Sequence, residues 1–396
     1  MLTSKKFRYH IPTIIEFGNG YANKLHEFVS ELGGSNVLVV GDPGVLKAGI
    51  VERLEKPLRN AGIPFTTFTE VGMEATIESV GEGVSKAVEA GCDIIVGVGG
   101  GSALDTAKSI GLLLTNGGDI RDYIGLDRVP SPGVPVIAVP TTAGTGSEIT
   151  RFAVLSDKKA QAKLSIGSMY ICPDLALCDP ELTISLPPSI TAATGMDALT
   201  HALESYVNKV TQPFSEGLSI QSMKLVAKSL RLAVIQGENA DARSDLMTAS
   251  TLAAMAFNST RLGLAHALAI PLGANFNIPH GVVNAILLPE VMAFNLIGNQ
   301  EKFIEIAKIF GEKVDQLSDR EAALKAVEAI RLLKEDIGIT QTLSDFGVEE
   351  RHLDQIVKEA MESGNVPVNP VKPTEEDLKN ICRMVMTPEV PNKVLT

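Results

Sequence analysis

Residues 195–206 read GMDALTHALESY. Asp197 and His201 stand four apart, so a helix would place them on one face. Residues 263–281 read GLAHALAIPLGANFNIPHG and carry His266 and His280. Gly273 and Pro279 lie between those histidines and predict that no single helix joins them. One carboxylate and three imidazoles can close around a divalent transition metal. These segments hold three of the six histidines; His10, His26 and His352 do not cluster with them. An isolated Asp-x-x-x-His pair also occurs as a helix cap or a surface pair, so spacing alone leaves both readings open. A metal held there would act as a Lewis acid on an alcohol oxygen. A nicotinamide is the natural hydride acceptor for such chemistry. A cleft between a nucleotide-binding sheet and a helical domain could take both.

Residues 94–108, IIVGVGGGSALDTAK, supply a candidate for the nucleotide. A buried strand feeds the turn Gly99-Gly100-Gly101-Ser102, and a helix follows. Glycine lets backbone approach a phosphate, and the free amides of a helix start attract anions. The spacing departs from the full G-x-G-x-x-G pattern, so a plain strand-to-helix turn stays open. Residues 139–150, VPTTAGTGSEIT, form a second such loop. Thr141, Thr142, Thr145 and Ser147 offer hydroxyls there. Two such loops fit a ligand at the carboxyl edge of a parallel sheet. Asp42 ends an earlier strand and could accept from a ribose diol while repelling a 2′-phosphate. That favours NAD(H) over NADP(H), although a turn aspartate in Gly41-Asp42-Pro43-Gly44 fits equally. Arg151 and Phe152 follow the threonine loop as candidate substrate contacts. Arg151 could meet an anionic group or simply lie at the surface. Phe257 and Asn258 precede His266 and could line the same pocket.

These residues need elements to hold them. Runs at 36–40, 93–98 and 135–139 are apolar and end at turn residues, as in strands buried on both faces. Helical patterns at 45–61 and 76–91 separate them, which predicts βαβ units and a mostly parallel sheet. Runs at 151–155 and 162–166 flank Ser156-Asp157-Lys158-Lys159 and predict a hairpin beside that sheet. After Pro187-Pro188 the strand signals fade. Helices are expected at 189–208, 214–236, 241–258, 281–296, 299–316, 320–335 and 349–361. The three prolines in 365–373 predict an extended loop before a last helix. The fold class is thus α/β over 1–185, with an all-helical domain over 186–396.

Composition narrows the function. The 396 residues carry 35 Lys and Arg against 47 Asp and Glu, a net charge of −12. Such a chain repels phosphate backbones, so nucleic acid is not an expected partner. Its four cysteines include no C-x-x-C spacing, which excludes a disulfide scaffold or an all-cysteine zinc site. That usage fits a reducing, cytoplasmic setting. The first twenty residues do not read as a secretory signal, and no uninterrupted apolar run of membrane-spanning length is expected.

The ordered set of segments resembles the iron-containing (group III) alcohol dehydrogenase family over essentially the whole chain. The resemblance runs from Phe17-Gly18-Asn19-Gly20 through GGGSALDTAK, residues 118–123, PTTAGTGSE, DPELT, GMDALTHALESY and the PHG at 279–281. It implies a dehydroquinate synthase-like architecture and NAD(H)-linked turnover of a small alcohol/aldehyde pair. It implies that Asp197, His201, His266 and His280 bind the metal, usually Fe2+ and sometimes Zn2+. It further implies Gly99, Gly100, Gly101 and Ser102 at the pyrophosphate, with Asp105 and Lys108 on the next helix. Thr141 and Thr142 would lie at the nicotinamide, and Lys163 near the adenosine or ribose. Ser147 belongs to the same loop. A homodimer or larger homo-oligomer is expected. Polyol oxidation of the glycerol dehydrogenase kind, or a lyase of the dehydroquinate synthase kind, are the alternatives. Two departures stand out. Many members carry a second histidine four residues after the third ligand, where this chain has Ile270, which would make that wall of the substrate pocket apolar. Residues 71–76, VGMEAT, replace a frequent proline-asparagine-proline-threonine run.

Overall fold

The computed structural model describes residues 6–157 and 162–387. The chain divides into two compact units. One comprises His10–Leu186 with Gly237–Met247; the other comprises Met1–Tyr9, Pro187–Gln236 and Thr248–Thr396.

The first unit is built on strands β1 (Ile14–Phe17), β2 (Val37–Val40), β3 (Phe65–Phe68), β4 (Ile94–Gly99), β5 (Gly125–Leu126), β6 (Val136–Pro140), β7 (Phe152–Asp157), β8 (Ala162–Gly167) and β9 (Leu175–Cys178). Its helices are α1 (Leu25–Glu31), α2 (Pro43–Lys47), α3 (Ile50–Asn60), α4 (Ile77–Ala90) and α5 (Gly101–Asn116). Six strands form one sheet in the order β1-β9-β6-β4-β2-β3. Every pairing in it is parallel. Alternate residues of β2 go to opposite faces. Val37 and Val39 pack with Leu25, Val96 and Val98. Leu38 and Val40 pack with Ile95, Ala107 and Ile110. Burial on both faces explains the near-continuous apolar runs. The chain moves from β2 outward to β3, then returns to β4 on the other side of β2. The order reverses between β2 and β4, which is where open α/β sheets bind ligands.

The sequence reading needs four corrections here. β3, FTTF, has no continuous apolar run, whereas β9, LALC, is apolar and buried throughout; neither was expected. The helix expected at 45–61 is two helices, because Gly49 adopts φ +74° between α2 and α3. The hairpin β7–β8 is antiparallel as expected, but with β5 it makes a separate three-stranded sheet. Its turn residues Lys158 and Lys159 lie outside the described residues. In addition, Ser156 and Asp157 belong to β7 itself.

The remaining helices are α6 (Pro188–Val207), α7 (Pro213–Ile235), α8 (Ala240–Thr260), α9 (Leu264–Phe276), α10 (His280–Asn295), α11 (Gln300–Ile309), α12 (Asp319–Asp336), α13 (Leu353–Met361) and α14 (Glu375–Met384). The first residues of α8 count with the sheet unit. α9 was not among the expected helices, although the break expected between His266 and His280 is present, between Phe276 and His280. Pro271 is tolerated as a buried helix residue, and Asn277 at φ +53° ends the helix. Apolar side chains of α9, α10, α13 and α14 share one core. His280–Gly298 is long and apolar enough to cross a membrane by length and composition alone. Sixty-seven per cent of that window is buried inside the protein, as expected of a core helix.

Candidate metal centre and cofactor loops

The metal candidates come from three helices of the helical unit. α6 carries Asp197, His201 and Glu204, which share a face at i, i+4 and i+7. His266 is the third residue of α9, and His280 is the first residue of α10. Gly281 lets α10 start hard against α6: a Cβ there would sit 2.1 Å from the Ala193 carbonyl oxygen. One ligand atom from each of Asp197, His201, His266 and His280 lies within 4.8 Å of the others. Asp197 Oδ1 is 3.9 Å from His201 Nε2, 3.7 Å from His266 Nε2 and 3.6 Å from His280 Nε2. The first three ligands are buried, whereas the His280 side chain is 45% exposed. The cluster therefore has one side open to solvent. The His201 ring stacks on His266 and also packs on Phe257, each with centroids 4.6 Å apart.

Glu204 is the residue that sequence reasoning missed. Its carboxylate accepts from Gly263 N at 2.8 Å and Ala265 N at 2.7 Å, closing the start of α9. It also lies 2.7 Å from His266 Nδ1. That contact keeps a ring proton on Nδ1, so Nε2 is the atom that would give a lone pair to a metal once its own proton has left, the usual outer support of a metal-bound histidine. Its signal was the third place in Asp197-x-x-x-His201-x-x-Glu204. Burial alone would lower the His266 pKa, but Glu204 and Asp197 outweigh it and push it up to about 9. Burial alone would raise the Asp197 pKa. The charges of His201 and His280, with the His266 contact, instead hold it well below the usual carboxylate range. Three imidazole nitrogens, once deprotonated, and one carboxylate within this radius suit Fe2+ or Zn2+.

The glycine loop follows β4 and the threonine loop follows β6, its neighbour in the sheet. Thr141 N donates to Gly99 O at 3.0 Å and ties the two loops together. Gly99 adopts φ +145°, and a Cβ there would sit 2.7 Å from Ala103 Cβ and 3.0 Å from Asp42 Oδ2. Asp42, after β2, thus reaches the same edge. It caps α2, accepting from Gly44 N at 2.7 Å and Val45 N at 3.1 Å. Gly100 precedes α5, and Gly101 and Ser102 begin it. Ser102 Oγ donates to Met73 O at 2.8 Å, bringing the 71–76 segment to this loop.

Other expected residues are engaged within the protein. Asp105 accepts from Ser147 Oγ at 2.5 Å, Lys108 Nζ at 3.3 Å and Val154 N at 2.9 Å. Lys108 is fully buried and also donates to Ser147 O, Ser147 Oγ and Phe152 O. Lys163 pairs with Glu74 at 2.8 Å, and Glu74 also accepts from Ser156 Oγ at 2.6 Å. Arg151 pairs with Asp127 at 2.6 Å, so an anionic substrate would compete with that carboxylate. Ile270 lies one turn beyond His266 on α9 and is partly exposed.

Two family models cover most of the chain. "Iron-containing alcohol dehydrogenase" matches residues 12–180, and "Fe-containing alcohol dehydrogenase family, C-terminal" matches 191–386. The chain belongs to the iron-containing alcohol dehydrogenase family. It is 42% identical over 384 residues to 1,3-propanediol dehydrogenase of Citrobacter freundii, covering 96% of this chain and 99% of that one. A solved 1,3-propanediol oxidoreductase superposes with a TM-score of 0.94 at 42% identity, covering 96% of this chain and 100% of that one. Sulfoacetaldehyde reductase from Bifidobacterium kashiwanohense, solved with NAD+, gives 0.87 at 31% identity, covering 97% and 100%. The chain is accordingly an NAD-linked alcohol and aldehyde oxidoreductase with the dehydroquinate synthase-like fold.

Proposed function

We propose that this protein moves a hydride between NAD(H) and a small alcohol/aldehyde pair, using a divalent metal held by Asp197, His201, His266 and His280. The observation that carries this is the convergence of those four donors, with Glu204 fixing the ring of His266. Fe2+ is the proposed ion, with Zn2+ as the substitute. Such an ion supplies Lewis acidity toward the substrate oxygen. The chain's own residues do the rest. Asp197 contributes the single negative charge of the donor set, and Glu204 holds a second one behind His266. Phe257 packs on His201 and limits water on that side. Ile270 offers no titratable group, so it cannot relay a proton.

For the cofactor, Gly99, Gly100, Gly101 and Ser102 would hold the pyrophosphate through backbone amides at the start of α5. Thr141 and Thr142 would face the nicotinamide half. Asp42 would accept from the adenosine ribose and disfavour a 2′-phosphate, giving preference for NAD(H). Lys163 would join only by leaving Glu74. Asp105, Lys108 and Ser147 serve as a brace beneath these loops. Phe152, Phe257, Asn258 and Arg151 remain candidates for the substrate side. Homo-oligomeric assembly and a cytoplasmic setting complete the proposal; the four free cysteines accord with that setting.

The test is an NADH-coupled panel of short-chain aldehydes, run after loading with Fe2+ or Zn2+ in parallel. Metal-dependent NADH oxidation with at least one aldehyde is expected. Failure across the panel with fully loaded protein would overturn the reading.

A further inference from the structure

Asn284 lies one helical turn after His280 on α10 and is completely buried. Its Nδ2 donates to Asp197 Oδ1 at 2.8 Å. The same nitrogen is 3.1 Å from His266 Nε2 and 3.2 Å from His280 Nε2. These are three of the four atoms proposed to bind the metal. Its other end, Oδ1, is buried with no hydrogen-bond partner among the described residues. A neutral imidazole nitrogen has one in-plane lone pair. That pair can accept an N–H or bind a cation, but it cannot do both. The N–H end of an amide is also the wrong end to present to a cation.

We propose that Asn284 competes with the metal for its own ligands, a role that rests on the metal reading above. In the metal-free protein its amide donates one N–H to Asp197 Oδ1 and has a single further N–H for a neighbouring histidine Nε2, His280 being the acceptor while His266 is protonated. When a cation binds, the amide must leave those lone pairs. Asn284 thereby sets how tightly the ion is held and how readily it exchanges.

The opposite role makes an opposite prediction. A residue that merely orients a ligand weakens metal binding when removed, typically by about 10–100-fold. A competitor strengthens it, because its loss destabilises the metal-free protein more than the loaded one. The experiment measures Zn2+ affinity by competition with a chromogenic chelator for the wild type, Asn284→Ala and Asn284→Asp. Melting temperatures are recorded stripped and loaded. Asn284→Ala should bind Zn2+ about tenfold more tightly, the equivalent of one charge-assisted hydrogen bond. Asn284→Asp should gain more, since it sets a second carboxylate beside Asp197 in the stripped protein and beside a cation in the loaded one. Both variants should melt lower when stripped, with little change when loaded. A variant that folds only when loaded gives the same answer. Unchanged or weaker affinity, or equal losses of melting temperature in both states, would overturn the proposal. Failure of the wild type to bind Zn2+ would instead strike the metal reading itself.

Discussion

The sheet unit and the helical unit present their candidate sites in opposite ways. In the sheet unit the proposed recognising groups are backbone amides and hydroxyls at the ends of β4 and β6, with the Asp42 carboxylate after β2. Side chains there matter mainly by being small. In the helical unit the backbone only carries side chains, and four of them converge within 4.8 Å. A net charge of −12 conceals the first site and says nothing of the second. One site is therefore vulnerable to added volume, and the other to lost donors.

That contrast can be broken by crossing the two assays. Asp197→Ala should abolish metal retention and lower turnover by about a thousandfold or more. NAD binding, followed by quenching or calorimetry, should survive. Loss of both together would mean that the sites are not separable. Gly99→Val should do the reverse. Its side chain would meet Ala103 and Asp42 at a backbone angle that valine avoids. The KM for NAD should rise roughly tenfold to a hundredfold while metal content stays full. A normal KM would remove this turn from the cofactor site.

A pH series sharpens the electrostatic side of the comparison. His266 titrates near 9 when folded, above its ordinary value of about 6.5 when unfolded. Its contribution to stability in the metal-free protein is complete below about pH 6.5 and is lost as pH rises toward 9. A metal must displace that proton, so metal affinity rises over the same window. The gain in melting temperature on adding Zn2+ should therefore grow from pH 6.5 to 8.5. Glu204→Gln removes the raising charge and should move that window to lower pH. A flat profile in the wild type would contradict the assignment. The smallest effect belongs to Asp42. Asp42→Asn keeps an acceptor for the start of α2 but removes the charge. Relative use of NADP should rise about fivefold, the scale of one solvent-exposed charge contact. An unchanged NADP-to-NAD ratio would leave Asp42 as a helix cap only.

The two sites also differ in how far the sequence discloses them. The strands feeding the glycine and threonine loops read clearly, because burial on both faces leaves unbroken apolar runs. β3, FTTF, escaped because only Phe68 is deeply buried. The metal set was readable from Asp197 and His201, four apart on one helix. Glu204 was hidden because a glutamate among helical residues looks like any solvated charge. Its burial comes from α9, whose free amides it closes. α9 itself was not read as a helix because its apolar residues run almost all round it and show no helical period. Arg151 carried a charge that suggested a ligand and Lys163 was implied by the family resemblance, yet each has a carboxylate partner elsewhere in the chain. Pairings of that kind depend on topology, and no local spacing reports them.

The buried Lys108 has a consequence for the timing of order. Its ammonium, with Asp105, fastens the start of α5 to the threonine loop at Ser147 and to β7 at Phe152. The proposed cofactor loops lose their conformational freedom when the chain folds. Little is left to lose when a dinucleotide arrives, so more of its contact energy is available as affinity.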